Sequence, residues 1–207
     1  MSLSRLLPIV ALLFLSNGPL RAGDGKPRYY SVRVPEISPQ RDLLVEHYRS
    51  DASGISPVPE QIWLVSTLDP SVRRLLFTHE RDASVLFSEN EDWLVINDHY
   101  LSNESRLLLF RRKGPLDYEQ VADLTAAAWR YFDQQQHAKT PHGFDHSYVE
   151  ALRWAENDPP TLLLSLDGHL DSRNYTSEWY CLYNLRTETF SVDFATHNRR
   201  MTELEGD

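Results

Sequence analysis

The stretch that decides the fold is Phe87-Ser-Glu-Asn-Glu-Asp-Trp-Leu-Val-Ile96, in which a polar turn is followed directly by an apolar strand. Ser, Asn and Asp favour turns, whereas aromatic and branched residues such as those at 93–96 favour strands. The same order of hydrophobic residue, polar turn and strand recurs over residues 37–46 and, more loosely, over residues 154–164. A further strand follows each of them after a loop. The pattern therefore predicts a repeated antiparallel hairpin with a partner strand beside it.

This pattern resembles the blades of β-propellers of the TolB-like class, in which a Ser-Pro-Asp-Gly-like turn precedes a strand that begins with Trp and Leu. The match is closest over residues 87–95, and the three units with their neighbouring strands cover about half of the chain after residue 22. The units are spaced by about 50 and then about 66 residues, and three of them are fewer than the four to eight blades of closed propellers. The resemblance implies a blade-like sheet that serves binding and assembly more often than chemistry.

Short strands separated by turn residues continue along the chain and predict a mainly β fold of antiparallel meander or propeller-like sheets. One amphipathic helix is predicted at about 117–135, with Asp117 as its cap and Gln120 completing a capping box. The alternative is an α+β fold in which a curved antiparallel sheet carries this helix on one face. The predicted strands are 29–34, 43–47, 61–66, 74–78, 84–87, 93–97, 106–111, 148–154, 161–166, 178–185 and 189–194.

The amino terminus has the three parts of a secretory signal. A short start with the basic Arg5 precedes an apolar run over residues 6–15, and the small residue Ala22 follows at the expected cleavage edge. The run is too short to span a bilayer, which needs about twenty apolar residues. We therefore expect residues 1–22 to be a signal peptide and the protein to be periplasmic or secreted. Residues 23–207 are expected to form a single β-rich domain with a frayed acidic tail at 201–207.

The composition excludes several classes of partner. Removal of residues 1–22 takes away Arg5 and Arg21 but no acid, and changes the net charge from −9 to about −11. Such a chain repels phosphate backbones, so we expect no nucleic-acid partner. No later stretch is apolar enough to predict stable membrane insertion after signal cleavage. The single cysteine, Cys181, lies in a strand-like run and is expected to pack as a small hydrophobic residue.

Two polar segments are candidate binding sites. His142, Asp145 and His146 share a loop whose imidazoles and carboxylate suit a divalent metal, although their spacing matches no established ligand pattern. Asp98 and His99 end the best-matched strand, but neighbouring side chains of a strand point to opposite faces, so the two are not expected to cooperate. Asp167-Gly168 is interpreted as a turn between strands. No catalytic residue, metal site or cofactor is assigned.

These observations favour a non-catalytic binding or assembly module whose ligand, a protein or a small molecule, is unknown. Loops on a rigid β scaffold commonly bind partners. The alternative is a metal-assisted hydrolase that uses His142, Asp145, His146 and either Asp98 or His99. It requires these residues to converge on one pocket.

Overall fold

The computed structural model describes residues 29–31, 33–50, 59–137, 143–171 and 175–205. Within these ranges the chain forms thirteen strands and two helices, which confirms the predicted mainly β class. The predicted signal peptide lies outside the described residues. The elements are β1 (Tyr29–Ser31), β2 (Glu36–Ile37), β3 (Leu43–Ser50), β4 (Glu60–Ser66), β5 (Arg73–His79), β6 (Asp82–Phe87), β7 (Trp93–His99), β8 (Arg106–Gly114), β9 (Asp117–Asp123), α1 (Thr125–Gln135), β10 (His146–Asn157), β11 (Pro160–His169), β12 (Tyr175–Asn184), β13 (Thr189–Ser191) and α2 (Phe194–Glu205).

The strands form three antiparallel sheets that follow one another along the chain. Sheet A has the order β1-β3-β4-β5, sheet B the order β6-β7-β8-β9 and sheet C the order β10-β11-β12-β13. In sheet A, β1 and β2 pair with opposite ends of the same edge of β3, so together they occupy the place of one strand. Each sheet is therefore a four-stranded meander.

Side chains alternate between the two faces of each sheet, and this alternation defines how the sheets stack. Leu94 and Ile96 of β7 belong to a core shared with sheet A, whereas Val95 between them belongs to a core shared with sheet C. Sheet B is thus buried on both faces and lies between the other two. We define the front face by Leu43, Val45 and His47 in sheet A, by Trp93, Val95 and Asn97 in sheet B, and by Thr161, Leu163 and Ser165 in sheet C, and call the opposite face the back face.

The sheets stack front to back, and the corresponding ends of their strands lie on the same side of the stack. At one end, which we call the turn end, the Gln40 N–H donates to Glu91 Oε1 across sheets A and B at 2.8 Å. At the same end, Trp154 Nε1 donates to the Leu86 carbonyl across sheets B and C at 3.1 Å. The front face of each preceding sheet therefore packs on the back face of the next.

The turns at residues 38–43 and 88–93 have the same hydrogen bonds. In both, the serine Oγ accepts the N–H of the residue five positions later at 3.1 Å. In both, the fourth residue is left-handed, with φ 66° at Arg41 and 57° at Glu91. The third hairpin, at residues 157–160, is shorter and pairs Asn157 directly with Pro160. The third repeat therefore matches the other two less closely because its turn is shorter.

The predicted start of the helix is wrong. Helix α1 begins at Thr125 rather than at 117, and residues 117–123 form the strand β9. A tight turn at Gly114 allows β9 to pair back along β8, for example Tyr118 opposite Arg112. Ladder hydrogen bonds along a whole strand outweigh the local capping-box preference. Asp123, not Asp117, accepts the N–H of Thr125.

Helix α1 packs between sheets B and C. Trp129 and Phe132 are buried in the core formed by these sheets, and Phe132 meets Trp179 of β12 edge to face at 5.1 Å between ring centroids. Cys181 is fully buried there, as predicted, and burial raises the pKa of its thiol to about 12. The helix therefore completes the core between the two sheets.

A second helix, α2, occupies residues 194–205 and so includes the first part of the tail predicted at 201–207. Asp193 Oδ1 accepts the Thr196 N–H at 2.9 Å and caps its first turn. His197 pairs with Glu156 of β10 at 3.0 Å, which places α2 on the front face of sheet C. In the described part of the chain, no helix is long and apolar enough to cross a membrane.

Candidate functional site: the histidine end

The end of the stack opposite the turn end carries five of the seven described histidines, and we call it the histidine end. Strand pairing brings them there. Glu60, the first residue of β4, lies opposite His79, the last residue of β5, and Asp82, the first residue of β6, lies opposite His99, the last residue of β7. The five are His47 and His79 in sheet A, His99 in sheet B, and His146 and His169 in sheet C. The sequence spreads these residues over more than half of the described chain, and only the sheet registers collect them.

Asp98 and His99 point to opposite faces of sheet B, as predicted. Asp98 is fully buried on the back face and forms an ion pair with Arg106. His99 lies on the front face, where its Nε2 is 3.0 Å from Glu150 Oε1 of sheet C. The two neighbours therefore serve different interfaces and form no dyad.

Sheet C contributes the other exposed polar groups of this end. His146 and His169 are paired across β10 and β11, and their rings stack with centroids 4.2 Å apart. Tyr148 follows on β10, and its hydroxyl donates to the Ser102 carbonyl at 2.8 Å. Its ring centroid is 6.3 Å from that of His99. Imidazoles and a tyrosine thus line the junction between sheets B and C.

An open cleft of about 690 Å³ lies beside this junction. Its walls combine two tyrosines, a histidine and two carboxylates. Asp167 is already used by the fold, since Oδ1 accepts the Glu178 N–H and Oδ2 accepts the Ser165 hydroxyl. Tyr175 is 64% exposed and its ring is available for stacking. The lining residues are Tyr148, Asp167, Gly168, His169, Asp171, Tyr175, Thr176 and Ser177.

Gly168 at the floor of the cleft cannot carry a side chain without displacement of its neighbours. A Cβ at this position would lie 2.6 Å from the Phe144 ring and 3.1 Å from the His146 carbonyl oxygen. Asp167 and Gly168 belong to β11, opposite Tyr148 and Ser147, so the predicted turn at these residues is wrong. The glycine serves close packing of an aromatic ring on a strand rather than a turn.

A second histidine group is buried between sheets A and B. His47 and His79 are 2% and 3% exposed, and their rings meet edge to face with centroids 6.4 Å apart. None of their four ring nitrogens, nor Asp98 Oδ1, has a hydrogen-bond partner among the described residues. Burial, and then the positive charge of Arg33, lowers the pKa of His47 to about 4. Burial also lowers the pKa of His79.

The predicted loop residues are only partly brought to this end. His142 lies outside the described residues. Asp145 is exposed, and its backbone carbonyl accepts a hydrogen bond from Asn103 Nδ2 at 2.8 Å. His146 stacks on His169 as described above. Across the described ranges, no three or more His, Cys, Asp or Glu side chains are grouped so that they could hold a metal ion.

Sequence reasoning missed the main residues of the cleft, Tyr148, His169 and Tyr175, and the partner Glu150. The signal for His169 was present, because it directly follows the Asp167-Gly168 pair that was interpreted as a turn. The tyrosines gave no separate signal, since the chain has ten of them.

Comparisons with known proteins give no relative on which to base an assignment, since no protein-family model and no curated protein matches this sequence. The site is therefore interpreted from its own geometry.

Proposed function

We propose that the protein is a non-catalytic binding module whose ligand occupies the open cleft at the histidine end of sheet C. The observation that carries the proposal is the cleft itself, of about 690 Å³ and lined by exposed aromatic and polar side chains. This volume falls within the range of about 300 to 1,000 Å³ that small-molecule sites occupy. The cleft is built on strands, which hold its walls at fixed spacing.

The lining favours a ligand with hydroxyl or amine donors and a flat apolar surface. Tyr175 and Tyr148 offer rings for stacking, and the hydroxyls of Thr176 and Ser177 offer acceptors. His169 adds a ring that is fixed by its stack on His146. Such a combination of aromatic surface and fixed polar groups sets orientation as well as affinity.

We further propose that residues 1–22 direct export and that the three sheets are related to TolB-like blades. The basic start and apolar run support export. The matching turns at 38–43 and 88–93 and the repeated four-stranded meander support the blade relation. The hydrolase alternative has less support, because Asp98 is buried on the side of sheet B that faces sheet A, and the described residues group no three metal-ligating side chains.

The test is capture of the tagged full-length protein after export in its native host, with mass spectrometry of co-purifying proteins and small molecules. The wild type is expected to retain one ligand, and Tyr175→Ala is expected to reduce its recovery about tenfold through loss of a stacking surface. Tyr180→Ala is the matched control, because Tyr180 lies on the same strand but lines a separate groove and does not line the cleft. Equal recovery with Tyr175→Ala, or no ligand on the wild type, would overturn the proposal.

A further inference from the structure

The two outer faces of the stack are the back face of sheet A and the front face of sheet C. They are the same two kinds of face that meet at each interface inside the stack. The corresponding second strands are β3, β7 and β11, because the backbone carbonyl just before the apolar stretch accepts the same type of hydrogen bond in each sheet. The acceptors are Asp42, Asp92 and Pro160, and the donors are the N–H groups of Thr67, Arg112 and Leu185. The front face of sheet C is therefore the counterpart of the face of sheet B on which sheet C packs.

The exposed front face of sheet C has the character of an unfilled interface. Leu152 is 44% exposed and Tyr180 39% exposed on this face. Both line an apolar groove of about 510 Å³ together with Arg153, Leu163 and Phe194. Leu163 is the counterpart of Val45 and Val95, which are buried by the next sheet in the stack. Nothing in the described part of the chain fills this groove.

Helix α2 does not prevent another sheet from packing on the front face of sheet C. It follows the last strand of sheet C and lies on the front face, as α1 follows the last strand of sheet B. An aspartate carboxylate accepts a backbone N–H in the first turn of each helix, Asp123 from Thr125 in α1 and Asp193 from Thr196 in α2. Sheet C packs on sheet B in the presence of α1, whose side chains join the core of that interface. A further sheet can stack over α2 in the same way.

The back face of sheet A offers the complementary surface. Ile37 is 55% exposed there, whereas its counterpart Phe87 packs into the core between sheets A and B. Arg73 lies over the Trp63 ring at 4.5 Å on the same face. Tryptophan and arginine are among the residues enriched in interface hot spots.

We infer that a second copy of this chain fills the groove, with the back face of its sheet A on the front face of sheet C. This contact repeats the front-to-back stacking of sheets A, B and C. Two copies related by a twofold axis make the contact twice and close a ring of six sheets. Rings of sheets contain about four to eight blades, so one chain has too few and three chains have too many. Each contact is heterologous, since it joins sheet C of one copy to sheet A of the other. The ring closes because the contact is made twice.

The test is analytical ultracentrifugation of the full-length mature protein over a wide concentration range. The wild type is expected to sediment as a dimer, and Leu152→Glu and Ile37→Glu are each expected to give monomers. Both side chains are largely exposed, so neither change should unfold the chain. Leu101→Glu is the control, because Leu101 is 44% exposed but lies in the loop after β7, away from both outer faces.

A mixture of the two monomeric variants separates this arrangement from other dimers. In the mixed pair, both charges fall in one contact and the other contact is wild type on both sides, so association is partly restored. A symmetric dimer through sheet C alone would be broken only by Leu152→Glu, and one through sheet A only by Ile37→Glu. Either result, a monomeric wild type, or an assembly larger than a dimer would overturn the inference. None of these outcomes depends on the ligand of the cleft.

Discussion

The two interfaces of sheet B bury polar side chains in opposite ways. Toward sheet C, Asn97 pairs fully with one residue, since its Oδ1 accepts the Ala151 N–H at 2.8 Å and its Nδ2 donates to the Ala151 carbonyl at 3.0 Å. Ser105 makes the same pair of bonds with Val149. Toward sheet A, His47 and His79 are equally buried but have no partner among the described residues.

The difference shows that hydrogen bonds fix the two interfaces of sheet B at different places along the strands. The bond pairs of Asn97 and Ser105 connect the edge strand β10 to the middle of sheet B and fix its position. Sheets A and B are instead tied at the turn end, where the buried Glu91 accepts the Gln40 N–H and pairs with Arg112. At their histidine end Arg33 pairs with Asp82, but the ring nitrogens of His47 and His79 carry a desolvation cost that no described hydrogen bond offsets. We therefore expect it to be the less stable end of this interface.

The largest effect is expected at the satisfied interface. Asn97→Leu removes both bonds to Ala151 and leaves a buried N–H and carbonyl unpaired, which should lower the free energy of unfolding by about 3 kcal/mol. Urea unfolding followed by circular dichroism measures it. Asn103→Leu is the matched control, since this half-buried residue donates one hydrogen bond near the surface and should cost less than about 1 kcal/mol. A loss for Asn97→Leu no larger than for the control would contradict the comparison.

Acid should weaken the unsatisfied interface. The pKa of His47 is about 4 in the folded protein, below its usual 6.5, so between these values the unfolded chain binds a proton that the folded chain does not. Stability is therefore full above pH 6.5 and falls as the pH drops toward 4, by about 3 kcal/mol from this residue. His79 acts in the same direction. Unfolding titrations of wild type and His47→Leu measure the effect, and identical pH profiles would contradict it.

At neutral pH the same substitution should stabilise the protein. His47→Leu replaces a buried ring whose nitrogens are unpartnered with an apolar side chain, and should raise the free energy of unfolding by about 1 kcal/mol. His99→Leu is the control, because His99 is partly exposed and its ring faces Glu150. Thermal unfolding at pH 7.5 compares the two. Destabilisation by His47→Leu would show that its ring has a partner after all.

The smallest effect concerns the turn end. Arg41→Gly relieves a left-handed residue and should add about 1 kcal/mol of stability. Glu91→Gly relieves the same conformation in the equivalent turn but loses the contacts of a buried carboxylate with Gln40 and Arg112, so it should destabilise. Opposite signs in chemical unfolding would confirm that the Glu91 side chain, unlike that of Arg41, ties sheets A and B together.

Much of the fold could be predicted because its information is local. The turn at 88–93 and the strands around it combine turn formers with branched and aromatic residues, and the structure places strands there. The start of the helix could not be predicted in this way. Asp117 and Gln120 satisfy a local capping pattern, but residues 117–123 complete sheet B by pairing with β8, which is a tertiary effect.

The site depends still more on tertiary structure. The predicted residues His99 and His146 do lie at one end of the stack, yet the partner of each, Glu150 and His169, is set by sheet packing or register. His47 and His79 are separated by two loops and a strand. Their contact follows from the pairing of β3 with β4 and of β4 with β5, which the residue pattern does not encode.

Because Gly168 has no side chain, binding in the cleft should be detectable by tryptophan fluorescence. The Phe144 ring that occupies this space also meets Trp129 at 5.7 Å between ring centroids. One ring therefore separates the floor of the cleft from a tryptophan of the core. Since indole emission responds to its immediate surroundings, a molecule that displaces the cleft floor should alter the fluorescence of Trp129 without any added label.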